Sequence, residues 1–119
     1  MEKKILLIDD SQFILESTST LLMFEGYDVI TASGGQEGIN LARQEIPDLI
    51  ICDVSMPGMS GYEVVEIIRA DEITATIPFI FLTAFTEKQK MREGMEKGAD
   101  DYLTKPFTKK ELIAAIDSQ

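Results

Sequence analysis

Histidine is absent from the sequence. Without an imidazole there is no Ser/His or Cys/His nucleophilic pair and no histidine-ligated zinc, so any chemistry must run on carboxylates, hydroxyls, lysine or a metal ion. Cysteine occurs once, as Cys52. It cannot close an internal disulfide, which agrees with a reducing compartment, and the run Leu49 to Ile51 before it assigns it to core packing. No apolar run approaches the roughly 20 residues of a membrane span. The opening MEKKILLIDD offers only Ile5, Leu6, Leu7 and Ile8 after a short basic stretch, less than the ~7–15-residue apolar region of a secretory signal. The expectation is a soluble, cytoplasmic protein. Cations are scarce as well, with 11 Lys and Arg against 21 Asp and Glu and a net charge of -10. That balance repels phosphate backbones and anionic lipid, so neither nucleic acid nor membrane is expected as a partner of this domain. A cation is the better ligand.

What is present is a chain of 119 residues with 45% hydrophobic residues, enough for one compact domain over residues 1–119 and too short for two. Apolar runs suited to strands recur at Ile5 to Ile8, Val29 and Ile30, Leu49 to Cys52, Phe79 to Leu82, and Tyr102 and Leu103, with helical periodicity between them. The first helix carries Phe13, Ile14, Leu21, Leu22 and Phe24 on one face; the second carries Ile39, Ala42 and Ile46; the third carries Val64, Val65 and Ile68. Met91 and Met95 mark a fourth and Leu112 and Ile116 a fifth. Capping-box spacing places helix starts at Ser60 with Glu63, Thr86 with Gln89, and Thr108 with Glu111, while Gly26 and Gly98 sit at helix stops. Pro47 and Pro78 fall just before strands three and four, where a missing amide hydrogen costs least. Five alternations of strand and helix, with strands apolar on both faces, predict an α/β fold: a doubly wound parallel sheet covered by helices on each side.

In such a sheet, right-handed crossovers bring every strand-to-helix loop to the same edge. The stretch LIICDVSMPGMSGYE, residues 49–63, runs four apolar residues into Asp53 and then breaks into proline, glycine and methionine. The first strand ends on Asp9 and Asp10, the fourth on Thr83, and the fifth on Thr104, Lys105 and Pro106. Three carboxylates, a hydroxyl and an ammonium therefore converge on one edge. Each has a plain structural use on its own. Asp9 and Asp10 can cap the first helix; Asp53 can be a loop aspartate, Gly58 and Gly61 turn residues, and Thr83 a strand-end hydroxyl. Lys105 alone is a solvated cation, and Tyr102 an amphipathic strand residue. Their convergence is what distinguishes them.

The acidic pair Asp9 and Asp10, Asp53 followed by MPGMSG, Thr83 with Ala84, and Lys105 with Pro106 resemble, in order and spacing, the receiver domain of two-component response regulators. The likeness is chemotaxis-regulator-like and covers the whole chain. It implies a flavodoxin-like five-stranded sheet of order 2-1-3-4-5, with Asp53 as phosphoryl acceptor and Asp9, Asp10, Asp53 and the Ser55 carbonyl as ligands of Mg2+. It also implies that Lys105 meets the phosphoryl oxygens, and that Pro106 follows a cis peptide. Physics agrees with a cation here, since two carboxylates about 4 Å apart repel by roughly 4 kcal/mol at an effective dielectric near 20, and hard oxygen ligands select Mg2+. Thr83 and Tyr102 resemble the family's switch pair, acting on helix four, strand five and helix five. The implied partners are a histidine kinase or histidine phosphotransfer protein upstream. Downstream stands another protein, an output domain, or a second copy in a phosphorylation-dependent homodimer. The domain would not be an enzyme beyond catalysing its own phosphorylation and dephosphorylation. Phe85 departs from the family's commonest pattern, standing where many receivers carry a polar side chain near the phosphoryl group. A phenyl ring cannot orient water, which favours a long-lived phosphorylated state; the alternative is that Phe85 packs on helix four.

Three rival readings stand beside this one, the flavin-binding one being of the same topology. A Mg2+-dependent phosphohydrolase with an aspartyl-phosphate intermediate needs a second aspartate two residues after the nucleophile, where this chain has Ser55. A flavin-binding fold needs a neutral phosphate loop after strand one, where this chain has Asp9 and Asp10. A receiver-like docking module without phosphorylation ranks lower, because all the acceptor residues are present. The last helix ends on Asp117, Ser118 and Gln119 without a glycine stop. Both a longer native chain and a single-domain regulator fit that ending.

Overall fold

Ile5, Leu6, Leu7 and Ile8 are all fully buried, as expected for a strand flanked on both edges and covered on both faces. They belong to β1 (Lys4–Ile8) of a five-stranded sheet in a computed structural model that describes residues 2–84 and 91–119. The remaining elements follow in strict alternation: α1 (Gln12–Phe24), β2 (Asp28–Ala32), α2 (Gly35–Glu45), β3 (Leu49–Asp53), α3 (Gly61–Ala70), β4 (Phe79–Ala84), α4 (Met91–Glu96), β5 (Asp101–Lys105) and α5 (Lys109–Asp117). All four strand pairs are parallel, in the order β2-β1-β3-β4-β5. The doubly wound sheet expected from the sequence is therefore the fold observed.

Strand alternation divides the core into two layers. Ile5, Leu7, Leu49, Ile51, Ile80, Leu82 and Leu103 face Leu15 and Leu22 of α1 and Leu112 and Ile116 of α5. Leu6, Ile8, Ile50, Cys52, Phe79 and Phe81 face Ile39 and Ala42 of α2 and Val64, Val65 and Ile68 of α3, with Met95 of α4 packed at the border. Among the described residues, no helix is long and apolar enough to cross a membrane.

Helix ends follow local chemistry. Ser11 caps α1 by accepting from Ile14 N at 3.3 Å, and Thr108 with Glu111 forms the complete reciprocal box at α5. Ser60 accepts from Glu63 N at the start of α3. Thr86 and Gln89 lie outside the described residues. Gly26 (φ 95°) terminates α1, with its own N–H on Met23 O and that of Tyr27 on Leu22 O, the paired bonds of a left-handed stop.

Two expectations are corrected here. Phe13 and Phe24 do not lie on the buried face of α1: they are 76% and 85% exposed, and the buried residues are Leu15, Thr18 and Leu22. At about 100° per residue, Phe13 and Phe24 share a meridian roughly opposite Leu15 and Leu22, with Ile14 and Leu21 half-buried between them. Ile46 is not a core residue of α2 but its C-cap, with φ 45° and ψ 65° and more than half its surface exposed. A β-branched side chain in the left-handed region carries a steric cost of about 1–2 kcal/mol. Ile46→Gly should therefore raise stability by about 1 kcal/mol. Urea denaturation checks this, and an unchanged or lowered midpoint would contradict it.

Candidate functional site

Asp9 follows the last residue of β1 directly, and its N–H donates to Ala32 O at 3.1 Å, which keeps it in line with the strand. Its carboxylate is buried. One oxygen accepts from Ser11 N at 2.9 Å and the other from Lys105 Nζ at 3.3 Å. Capping of α1 thus falls to Ser11, and Asp9 is turned toward the sheet edge. The sequence signal for that cap is a serine ahead of an apolar run, without a full capping box, since position 14 holds Ile instead of Glu or Gln. Asp10 is exposed at the rim.

Asp53 closes β3, the central strand, and pairs with Leu82 in β4, while the next residue, Val54, donates to Leu82 O at 3.0 Å. Lys105 closes β5, pairs with Ala84, and precedes a cis peptide to Pro106, as the resemblance implies. Asp53 and Lys105 have the same strand parity as the core layer under α1 and α5. Their side chains meet there, with Lys105 Nζ 3.1 Å from Asp53 Oδ1. The carboxylates of Asp9, Asp10 and Asp53 can each offer an oxygen within 4.8 Å of the others. Among the described residues, one ammonium stands against three carboxylates.

The electrostatics follow from that imbalance. Burial, then the negative charge of Asp9, push the Asp53 carboxyl up to about 6, against the pull of Lys105. Burial works against the Lys105 ammonium, yet Asp53 and Asp9 outweigh it and hold its pKa above the usual lysine value. Cys52, enclosed beside the site, has its thiol pushed well up by burial first and by Asp53 and Asp9 next. It is a packing residue, as expected.

Thr83 and Tyr102 occupy the opposite face of the sheet. Tyr102 pairs in register with Phe81, two residues before Thr83, and packs half-buried against the layer under α2 and α3. Thr83 is fully buried and its hydroxyl donates to Ala84 O at 3.3 Å. Ser55 is exposed in the loop between β3 and α3, and Pro106 is exposed after β5. Phe85 lies outside the described residues.

The arrangement is a one-sided cluster of hard oxygen donors with one lysine, at the carboxyl edge of a parallel sheet, suited to a divalent cation and a phosphoryl group. Comparison with known proteins places the chain in a family. The chain is 43% identical over 116 residues to the alkaline phosphatase synthesis transcriptional regulatory protein PhoP of Bacillus subtilis, covering 98% of this chain and 48% of that protein. The chain thus spans about half the length of the curated relatives it matches. Among solved structures, the chemotaxis protein CheY4 of Vibrio cholerae superposes with a TM-score of 0.93 at 36% identity, over 99% of this chain and 98% of that one. The receiver domain of a sensor histidine kinase from Pseudomonas aeruginosa PAO1, described with a magnesium ion coordinated in its active-site cleft, superposes with a TM-score of 0.91 at 29% identity. That match covers 99% of this chain and 97% of that one. The family described as the response regulator receiver domain matches residues 5–117, and with sheet order, acidic cluster and relatives in agreement, this chain belongs to the receiver domains of two-component response regulators.

Proposed function

We propose that Asp53 accepts a phosphoryl group from a histidine kinase or histidine phosphotransfer protein, with Mg2+ held at the same edge, and that the modification is read on α4, β5 and α5. The observation that carries this reading is the position of Lys105 Nζ, 3.1 Å from Asp53 and 3.3 Å from Asp9 at the strand tips. A lysine so placed neutralises charge on whatever is attached to Asp53.

The donor set fits the metal. Three carboxylates with oxygens within 4.8 Å, one of them wholly buried, are hard ligands whose mutual repulsion Lys105 alone does not relieve. Asp9, Asp10 and Asp53 would hold Mg2+ with the backbone carbonyl of Ser55, and the ion when bound neutralises phosphoryl oxygens. The rest is done by the chain. Asp53, with its pKa near 6, is mostly ionised at neutral pH, so one carboxylate oxygen attacks phosphorus while the donor nitrogen departs. Lys105, fixed at the end of β5, meets the negative oxygens of the transferred group. Asp9 holds the Lys105 ammonium in place and, through Ser11 N, ties the start of α1 to the site.

Thr83 is the sensor in this reading. Among the described residues, its hydroxyl bonds only the adjacent Ala84 carbonyl at 3.3 Å, a contact readily exchanged for a charged phosphoryl oxygen worth about 1.5–3 kcal/mol. That suffices to shift a two-state equilibrium roughly 10- to 150-fold. Tyr102, on the same face, fills the space left when Thr83 turns. The reader of that face is an output domain, a separate protein or a second copy of the chain. The length of the relatives, roughly twice this chain, supports an output domain.

Incubation with acetyl phosphate and Mg2+ should add one phosphoryl group by intact mass; no gain over the untreated protein would overturn the proposal. For the switch, Thr83→Ala should still take up phosphate but lose the beryllofluoride-induced amide shifts across α4, β5 and α5. A full set of those shifts in the variant would remove Thr83 from the mechanism.

A further inference from the structure

Among the glycines of the described residues, Gly35, Gly38, Gly94 and Gly98 lie against side chains. Gly61 differs. A Cβ built there would overlap the carbonyl oxygen of Asp53 and stand 3.0 Å from Val54 Cα and 3.1 Å from the Asp53 carbonyl carbon. The first residue of α3 therefore rests directly on the backbone of the acceptor residue. Its N–H donates to Val54 O at 2.8 Å, which fastens the contact.

We infer that Gly61 is a positioning residue for the phosphoacceptor: the methyl-free first turn of α3 sets the backbone of Asp53 and Val54, and with it the aim of the Asp53 carboxylate. This rests on the reading of Asp53 as acceptor. The tip of β3 is hydrogen-bonded between β1 and β4, with Cys52 opposite Ile8 and Asp53 opposite Leu82, so it yields to an added methyl by only a small displacement. The rest of the strain goes into the Gly61-to-Val54 bond and the loop of residues 54–60, which carries Ser55. Because the side chain of Asp53 meets Lys105 at 3.1 Å and has a carboxylate oxygen of Asp9 within 4.8 Å, a small displacement at its backbone changes the attack geometry. Displacements of about 1 Å can cost about 100-fold in rate.

The test compares Gly61→Ala with Ile68→Val, which loses buried volume farther along the same helix without touching Asp53. Both lower stability. Only Gly61→Ala should slow phosphoryl uptake from acetyl phosphate at saturating Mg2+, by about 10- to 100-fold in maximal rate, with the half-saturating acetyl phosphate concentration unchanged. The amide signals of Asp53, Val54 and Ser55 should shift in Gly61→Ala and stay in place in Ile68→Val. Should Gly61→Ala not fold, Ser60→Ala serves instead. It removes the cap on Glu63 N, loosens the same turn without adding bulk, and should slow uptake several-fold. A wild type that takes up no phosphate defeats the acceptor reading itself. A wild type that does, with Gly61→Ala or its substitute reacting as fast as Ile68→Val, defeats the positioning role alone.

Discussion

Asp53→Asn should take up no phosphoryl group under conditions in which the wild type is fully modified. The substitution keeps the shape of the side chain and exchanges the carboxylate for an amide, which is not a nucleophile at phosphorus. Loss of an attacking group typically costs ~10⁴–10⁶ in rate, so a fall of about 10³-fold or more is the minimum expected. Its neighbours cannot substitute. Asp9 is enclosed, with one oxygen on Ser11 N and the other on Lys105, and Asp10 stands exposed at the rim without the lysine. Asp53 combines enclosure, a strand tip fixed by β4 and a lysine at 3.1 Å. Intact mass after incubation with acetyl phosphate and Mg2+ decides the matter, and uptake by the variant at the wild-type rate would show that another residue is the acceptor.

That Asp53 could be placed at the sheet edge from sequence follows from how parallel strands are built. A strand buried on both faces must be apolar throughout, so a charge at its last position marks the point where the sheet meets solvent. Ile5 to Ile8 before Asp9, and Leu49 to Cys52 before Asp53, carry that signal, and the crossover rule then brings the tips together. Helix α1 was harder to read. Its residues are apolar around much of the circumference, and nothing in the sequence states that Leu15 and Leu22 face the sheet while Phe13 and Phe24 face water. Arg69 shows a second limit. Its guanidinium bonds the carbonyls of Gly98, Ala75 and Ile77 and the carboxylate of Asp100, clamping α3 to the loops on either side of β4 and α4. In one dimension it is only a charge near the end of a helix. The same holds for Gly61, whose contact with Asp53 appears only once β3 and α3 are packed together.

The strain at the acidic cluster gives the second large effect. With divalent cations removed by chelator, Asp53→Asn should be more stable than wild type at pH 7 and above, by about 2 kcal/mol, and the difference should vanish toward pH 4. Folding raises the Asp53 pKa from 3.8 to about 6, because burial and Asp9 disfavour its charge. The folded state therefore binds this proton more tightly than the unfolded chain. The favourable contribution is complete below the unfolded pKa and is lost as pH rises through about 6. A shift of about two units corresponds to at most roughly 3 kcal/mol, which solvent screening at the partly open sheet edge lowers to about 2, and an amide, which never ionises, does not lose it. Other titrations are largely shared by the two proteins and cancel in the comparison. Added Mg2+ should then stabilise the wild type by mass action and leave the variant nearly unchanged, because the cation relieves the repulsion that the variant has already lost. Urea denaturation at a series of pH values, with chelator and with Mg2+, measures both effects. A wild type as stable as the variant at pH 8 in chelator would mean that Lys105 alone balances the cluster, and that the cation is not needed to hold three carboxylates together.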